Sequence, residues 1–110
     1  MAAPIPLRGQ VFLADIPDIG KKPVVIVSNN RRNRALGDVL GARVTTAPKP
    51  ELPTIIELEK ADAPLAGKVL CDDIASIPKP WLGRSPRGAL SPPTMKRVES
   101  GLLLALGIRP

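Results

Sequence analysis

Histidine is absent from all 110 residues, tyrosine is absent too, and cysteine occurs once. Without histidine the chain has no His-based general acid or base, no Ser-His or Cys-His nucleophile pair, and almost no route to a zinc site. The lone Cys71 excludes an intramolecular disulfide, so folding does not depend on an oxidising compartment. Cys71 is followed by Asp72 and Asp73, but adjacent carboxylates on a strand point to opposite faces and chelate poorly beside one thiol, so no metal is expected. Aromatics number two, Phe12 and Trp81, too few for a platform on which bases stack. Phe12 is expected in the core and Trp81, inside PKPWLGR, over a core edge. No apolar run approaches the roughly 18 residues that a membrane span requires, and the first twenty residues hold no continuous apolar segment of a secretory signal. The expectation is a cytoplasmic chain without membrane contact. Phosphate-cradling glycine motifs of the Walker or dinucleotide kind are also missing.

What is present is proline, fourteen residues of it, with nine glycines. This punctuation excludes long helices from most of the chain and favours short strands and turns. The net charge of +6 is concentrated: residues 20–50 carry seven cations (Lys21, Lys22, Arg31, Arg32, Arg34, Arg43 and Lys49) against Asp38 alone. The remaining residues hold nine charges of each sign. A solubility role would have spread the excess, so an anionic partner is expected to dock on this window, the alternative being a merely solvated basic face.

The length suits one domain over residues 1–110, with residues 1–7 (MAAPIPL) as a flexible arm. RGQVFLADI alternates as a strand does, Val11, Leu13 and Asp15 on one face and Phe12, Ala14 and Ile16 on the other. PDIG makes a tight turn, and the β-branched run PVVIV predicts a central strand over residues 22–28. Residues 29–37 read as a polar loop. DVLGARVTT and PTIIELE predict two further strands joined by the proline-rich APKPEL, and KVLCDD and IASI a fifth and sixth. Five or six short strands at this spacing indicate a small barrel or strongly twisted sheet. At the end the period changes: Ser91 can cap, Pro92 suits the first helical position, and Met95, Val98, Leu102 and Leu106 follow at helical spacing until Gly107. The apolar side of this helix, over residues 91–107, is expected to cover the open side of the barrel, or to share in a dimer contact.

The apolar PVVIV run carries polar cargo at both ends, Lys21 and Lys22 before it and Ser28 to Arg34 after it. Thr45 and Thr46 end a neighbouring strand, and one of them must face away from the core. A hydroxyl there and the Lys22 ammonium can converge on a single phosphate.

Taken in order from Arg8 to Gly107, the segments RGQVFLADI, KPVVIVSNN, RVTT, LCDDI and LSPPTMKRVESGLLLALGI resemble the MazF/PemK endoribonuclease toxins of toxin-antitoxin pairs. The resemblance implies a mainly β fold, a small SH3-like β-barrel with a C-terminal amphipathic helix, usually as a homodimer with an RNA groove along its interface. It implies cleavage of single-stranded RNA without metal or other cofactor, the substrate's own 2′-hydroxyl attacking the phosphorus to leave a 2′,3′-cyclic phosphate and a 5′-hydroxyl. Carried over by position, the catalytic residues fall on Lys22, where the family usually has arginine, and on Thr45. Ser28, Asn29, Asn30, Arg31, Arg34, Arg43 and Thr46 would hold RNA, and Asp15 or Asp18 would transfer protons. The implied partners are RNA and an antitoxin whose acidic or amphipathic tail occupies the basic groove. Two alternatives stay open: a non-enzymatic gyrase poison of the CcdB type, and a barrel that binds RNA without cutting it.

Overall fold

A computed structural model describes residues 5–109. Six antiparallel strands form one sheet: β1 (Gln10–Ile16), β2 (Gly20–Ile26), β3 (Asp38–Thr45), β4 (Ile55–Glu57), β5 (Lys68–Pro78) and β6 (Gly88–Ala89), in the order β4-β5-β3-β2-β1-β6. Two helices accompany it, α1 (Asn30–Ala35) and α2 (Pro92–Ala105). The sheet curls through a half-barrel, and α2 covers its open side. The barrel-and-helix architecture expected from the sequence is present; the flexible arm falls partly on residues 1–4, outside the described residues.

Strand β2 is the spine. Val25 points into one core, with Val11, Ala42, Val44, Val69 and Val98, while Val24 and Ile26 point into a second, with Phe12, Ala14, Val39 and Ile77. Burial on both faces is why the run is continuously apolar instead of alternating. Phe12 is core as expected, and Trp81 packs against the edge of the second core. The β1–β2 turn is closed by Asp18 and Gly20, both at positive φ (66° and 98°), a conformation glycine and aspartate tolerate best.

Three elements depart from the sequence reading. KVLCDD and IASI are one strand, β5, whose register against β3 jumps: Arg43 faces Leu70 while the adjacent Ala42 faces Ile74. Residues 71–73 bulge out between them, and such a bulge bends a strand and sharpens its twist, which is how this sheet curls. The polar loop is in part a helix. Asn29 caps α1 by accepting from Arg32 N–H at 2.9 Å, and buried Asn33 donates to the Ser28 carbonyl at 3.0 Å. Six residues reading NRRNRA have no apolar period, so the segment read as a loop. The helix stripe also ends early, because Leu106 is the C-cap and is 63% exposed.

Helix α2 is seated through its first turn. Asp62, 1% exposed, accepts from the N–H of Glu59 (2.8 Å) and Ser91 (2.7 Å) and from the Thr94 hydroxyl (2.7 Å). Burial alone would raise its carboxyl pKa, but these donors more than offset it and hold the pKa below the usual value. Farther along, Gly101 lies against β5: a Cβ there would stand 2.8 Å from Cys71 Sγ.

Two stability measurements check this packing. Gly101→Ala should lower the denaturant midpoint despite alanine's better helix propensity, because a clash of about 1–3 kcal/mol outweighs a gain of about 1 kcal/mol. In a Cys71→Ala background the same change should become neutral or stabilising. Ser28→Ala should cost about 1–3 kcal/mol, since buried Asn33 then loses its hydroxyl partner.

Candidate functional site

The site begins at Pro23. Val24 pairs with Arg43 across the β2–β3 ladder, and the ladder pairs Val25 and Ile26 beyond it, but no pair is formed at Pro23. Proline has no N–H to give, so the two strands part there. Between their ends opens a hollow of about 230 Å³ lined by Lys21, Lys22, Arg43, Thr45, Thr46 and Ala66. Counting two residues from the Val24–Arg43 pair along each strand brings Lys22 and Thr45 to the same face, with Arg43 beside them. Lys21 and Thr46 belong to the opposite face.

The walls of this hollow are fixed. Thr45 Oγ1 accepts from Ala47 N–H at 3.1 Å, which leaves its own O–H free to donate outward. Gly67, at φ +113°, brings the next turn against Thr45: a Cβ at that position would stand 2.5 Å from the Thr45 carbonyl oxygen. Only glycine permits so close an approach. Arg43 makes a long ion pair with Asp73 (3.9 Å), and its buried Nε has no hydrogen-bond partner among the described residues. Lys22 and Arg43 also rim a second hollow of about 190 Å³ on the same face, whose sides include Ile16, Ile19, Val24 and Trp81. The cluster is thus two cations and a hydroxyl donor around a cavity with a dry neighbour, an arrangement that neutralises an oxyanion.

The structure does not bring every expected site residue here. Ser28 to Arg34 lie at the opposite end of β2, six residues and about 20 Å from Lys22. Ser28, expected to contact a ligand, is buried; its hydroxyl pairs with Asn33 and accepts from Leu40 N–H at 3.0 Å. Asn29 caps α1, and Asn30 accepts from Arg8 N–H at 2.7 Å. These three build the α1 corner, while Arg31 and Arg34 are exposed on it. Asp15 faces Lys21 across the β1–β2 ladder and shares with it a third hollow, of about 540 Å³. Asp18 sits in the turn and lines neither hollow around Lys22.

Sequence reasoning missed Lys21 as a wall residue, and missed Arg84 and Arg87, which join Lys21 and Asp15 in the third hollow. The two arginines are far from the basic window in sequence, and pairing with β1, through the bridge of Leu82 to Ala14 and the pairing of β6, brings them near. No group of three histidine, cysteine or carboxylate side chains that could hold a metal is found among the described residues. Cys71 is buried under α2, and desolvation together with the neighbouring Asp72 charge pushes its thiol up to about 11, so it is neither a nucleophile nor a ligand near neutral pH. No helix among the described residues is long and apolar enough to cross a membrane.

With this geometry, residues 7–106 match the model of the PemK-like, MazF-like toxin of type II toxin-antitoxin systems. The chain is 42% identical over 103 residues to the endoribonuclease MazF1 of Mycobacterium bovis, covering 94% of both proteins. Among solved structures it resembles an endoribonuclease from a mycobacterial species (38% identity, TM-score 0.89, covering 100% of this chain and 99% of that one). A second mycobacterial endoribonuclease, solved in complex with its cognate antitoxin, is 41% identical with a TM-score of 0.87, covering 96% of this chain and 98% of that one. Matched along nearly its whole described length, this chain belongs to the PemK-like, MazF-like toxin family of type II toxin-antitoxin systems.

Proposed function

We propose that the chain is an endoribonuclease toxin that cuts single-stranded RNA at the hollow between the ends of β2 and β3. The observation that carries this reading is the convergence of Lys22, Arg43 and Thr45 where Pro23 parts the strands. The substrate's 2′-oxygen attacks the adjacent phosphorus, the bond from phosphorus to the 5′-oxygen breaks, and a 2′,3′-cyclic phosphate and a 5′-hydroxyl result. No metal is required, because the nucleophile belongs to the RNA and the developing negative charge is met by protein donors.

Lys22 stabilises a non-bridging phosphate oxygen as a point charge, and Arg43 beside it supplies the guanidinium fork that a lysine lacks. Thr45, its oxygen held by Ala47 N–H, donates its O–H to the same phosphate. Thr46 faces the flanking nucleotide. The proton leaving the 2′-hydroxyl passes through solvent to a carboxylate, a role assigned to Asp15, which stands beside Lys21 on the opposite face from Lys22, in preference to Asp18 in the turn. The departing 5′-oxygen takes up a proton from water in the same step. Arg31 and Arg34, on the α1 corner, contact the RNA backbone only if the strand runs the length of β2.

Relatives named as endoribonucleases at 42% identity support this activity, and a relative solved with its cognate antitoxin supports the second partner. The partner proposed for this chain is an antitoxin with an acidic or amphipathic tail complementary to the Lys21–Arg43 surface. The toxin works in the cytoplasm as a homodimer, and the exposed Leu104, Leu106 and Ile108 at the end of α2 offer the apolar surface for the second copy.

Purified protein with single-stranded RNA in EDTA should release fragments ending in cyclic phosphate, while single-stranded DNA, lacking the 2′-hydroxyl, stays intact. Lys22→Ala should lower kcat about 100- to 1,000-fold, and Lys22→Arg should retain most of the rate. Uncut RNA across many sequences, or cleavage that requires added metal, would refute the proposal.

A further inference from the structure

The segment between β1's bridge to Leu82 and strand β6 is anchored at both ends on a short stretch of β1. Gly83 N–H donates to the Leu13 carbonyl at 3.0 Å and Arg87 N–H to the Val11 carbonyl at 2.7 Å. Residues 83–87 thus cover a span of β1 only three residues long, and the excess chain must arch outward. Arg84 and Arg87 stand on this arch, both exposed, and neither forms an ion pair among the described residues. The sheet holds the backbone at Gly83 and Arg87, so both side chains start from a fixed place beside the hollow.

Both arginines line the hollow of about 540 Å³ that also contains Leu13, Asp15 and Lys21. This hollow shares Lys21 with the one holding Lys22 and Thr45. A further concavity of about 550 Å³ connects them, for it shares Leu13 and Arg87 with the first and Pro23 and Thr46 with the second. The three form one trough running from the parted ends of β2 and β3, over Leu13, to the arch. Lys21, Arg84 and Arg87 stand along it with the acid Asp15, Lys22 and Arg43 reach it only at the end where β2 and β3 part, and its floor of Leu13, Pro23 and Leu65 is apolar. A row of cations over an apolar floor suits a strand whose phosphates lie along one side and whose sugars and unpaired bases lie on the other.

We propose that Arg84 and Arg87 bind the phosphates of the RNA segment flanking the scissile bond on one side, so that the trough extends the binding site beyond the hollow of Lys22 and Thr45. This rests on the endoribonuclease reading above. The two arginines act on substrate binding and position the strand; they take no part in bond cleavage. Because they lie outside the basic window, residues 20–50 supply only three of the five cations of the proposed anion-binding surface.

The test compares the wild-type chain with Arg84→Ala/Arg87→Ala and Arg84→Lys/Arg87→Lys variants on two RNAs that share a cut site, one barely spanning it and one extended in both directions. Equal unfolding midpoints are expected, since both side chains are exposed. On the extended RNA the alanine pair should raise KM about tenfold at low salt with kcat within about twofold. It should also flatten the slope of log kcat/KM against log salt by about 1.4, or 0.7 for each single-strand phosphate that is no longer neutralised. On the short RNA KM should be unchanged, and the lysine pair should restore the salt slope. Should the wild type cut both RNAs while the alanine pair keeps the same KM and salt slope on the extended one, the trough serves some other acidic partner and the inference fails alone. Equal losses on both RNAs would place the arginines at the scissile phosphate and overturn it as well. A wild type that cuts neither RNA removes the endoribonuclease reading and this inference together.

Discussion

Everything at the site depends on the two-sided burial of β2. Val25 in one core and Val24 with Ile26 in the other fix the strand against slipping, because a shift of one residue would exchange every contact between the two cores. Pro23 stands where β2 no longer pairs with β3, a place that tolerates a missing donor, while pairing with β1 continues as far as Gly20. The same residue that ends the ladder thereby opens the hollow, and the rigid strand behind it sets where Lys22 emerges. Placement on a strand and not on a loop gives the cluster a precision that short polar segments lack.

Other parts of the molecule serve that arrangement. The bulge at residues 71–73 bends β5 and brings Asp73 near Arg43, while the Gly67 turn packs on the Thr45 carbonyl and closes the far wall. Helix α2 caps one core from the opposite side, seated by Asp62 and by the close contact of Gly101 with Cys71. Absence of histidine is consistent with the proposed reaction, in which an attacking group carried by the substrate would leave the protein only charge stabilisation and proton transfer, for which lysine, arginine, threonine and aspartate suffice.

Much of this was legible in the sequence for local reasons. The uninterrupted β-branched PVVIV marked a strand buried on both faces, alternation marked β1, and Ser91-Pro92 with its apolar spacing marked α2. Lys22 and Thr45 stood out as candidates because they flank the apolar runs of two strands; Thr45 does end β3, whereas Lys22 is the third residue of β2. What was not legible is non-local. The α1 corner has no apolar period, and Ser28, Asn29 and Asn30, polar and adjacent to arginines, have the composition of a binding loop, although Ser28 is buried and Asn29 and Asn30 each accept a backbone N–H of the corner itself. The joining of KVLCDD and IASI into one bulged strand depends on pairing with β3, and Arg84 and Arg87 reach the groove only through pairing with β1. Composition located the charge of the basic window but not the partners that pairing brings to it.

The central claim is that Lys22 and Thr45 act on one and the same phosphate, and a double-mutant cycle tests it most directly. Single-turnover cleavage rates would be measured for the wild type, Lys22→Ala, Thr45→Ala and the double variant on one RNA. Residues sharing a phosphate should be strongly coupled, the double variant losing little more than the worse single variant. Losses that multiply, with no coupling, would mean that the two side chains act on separate groups and would contradict the account.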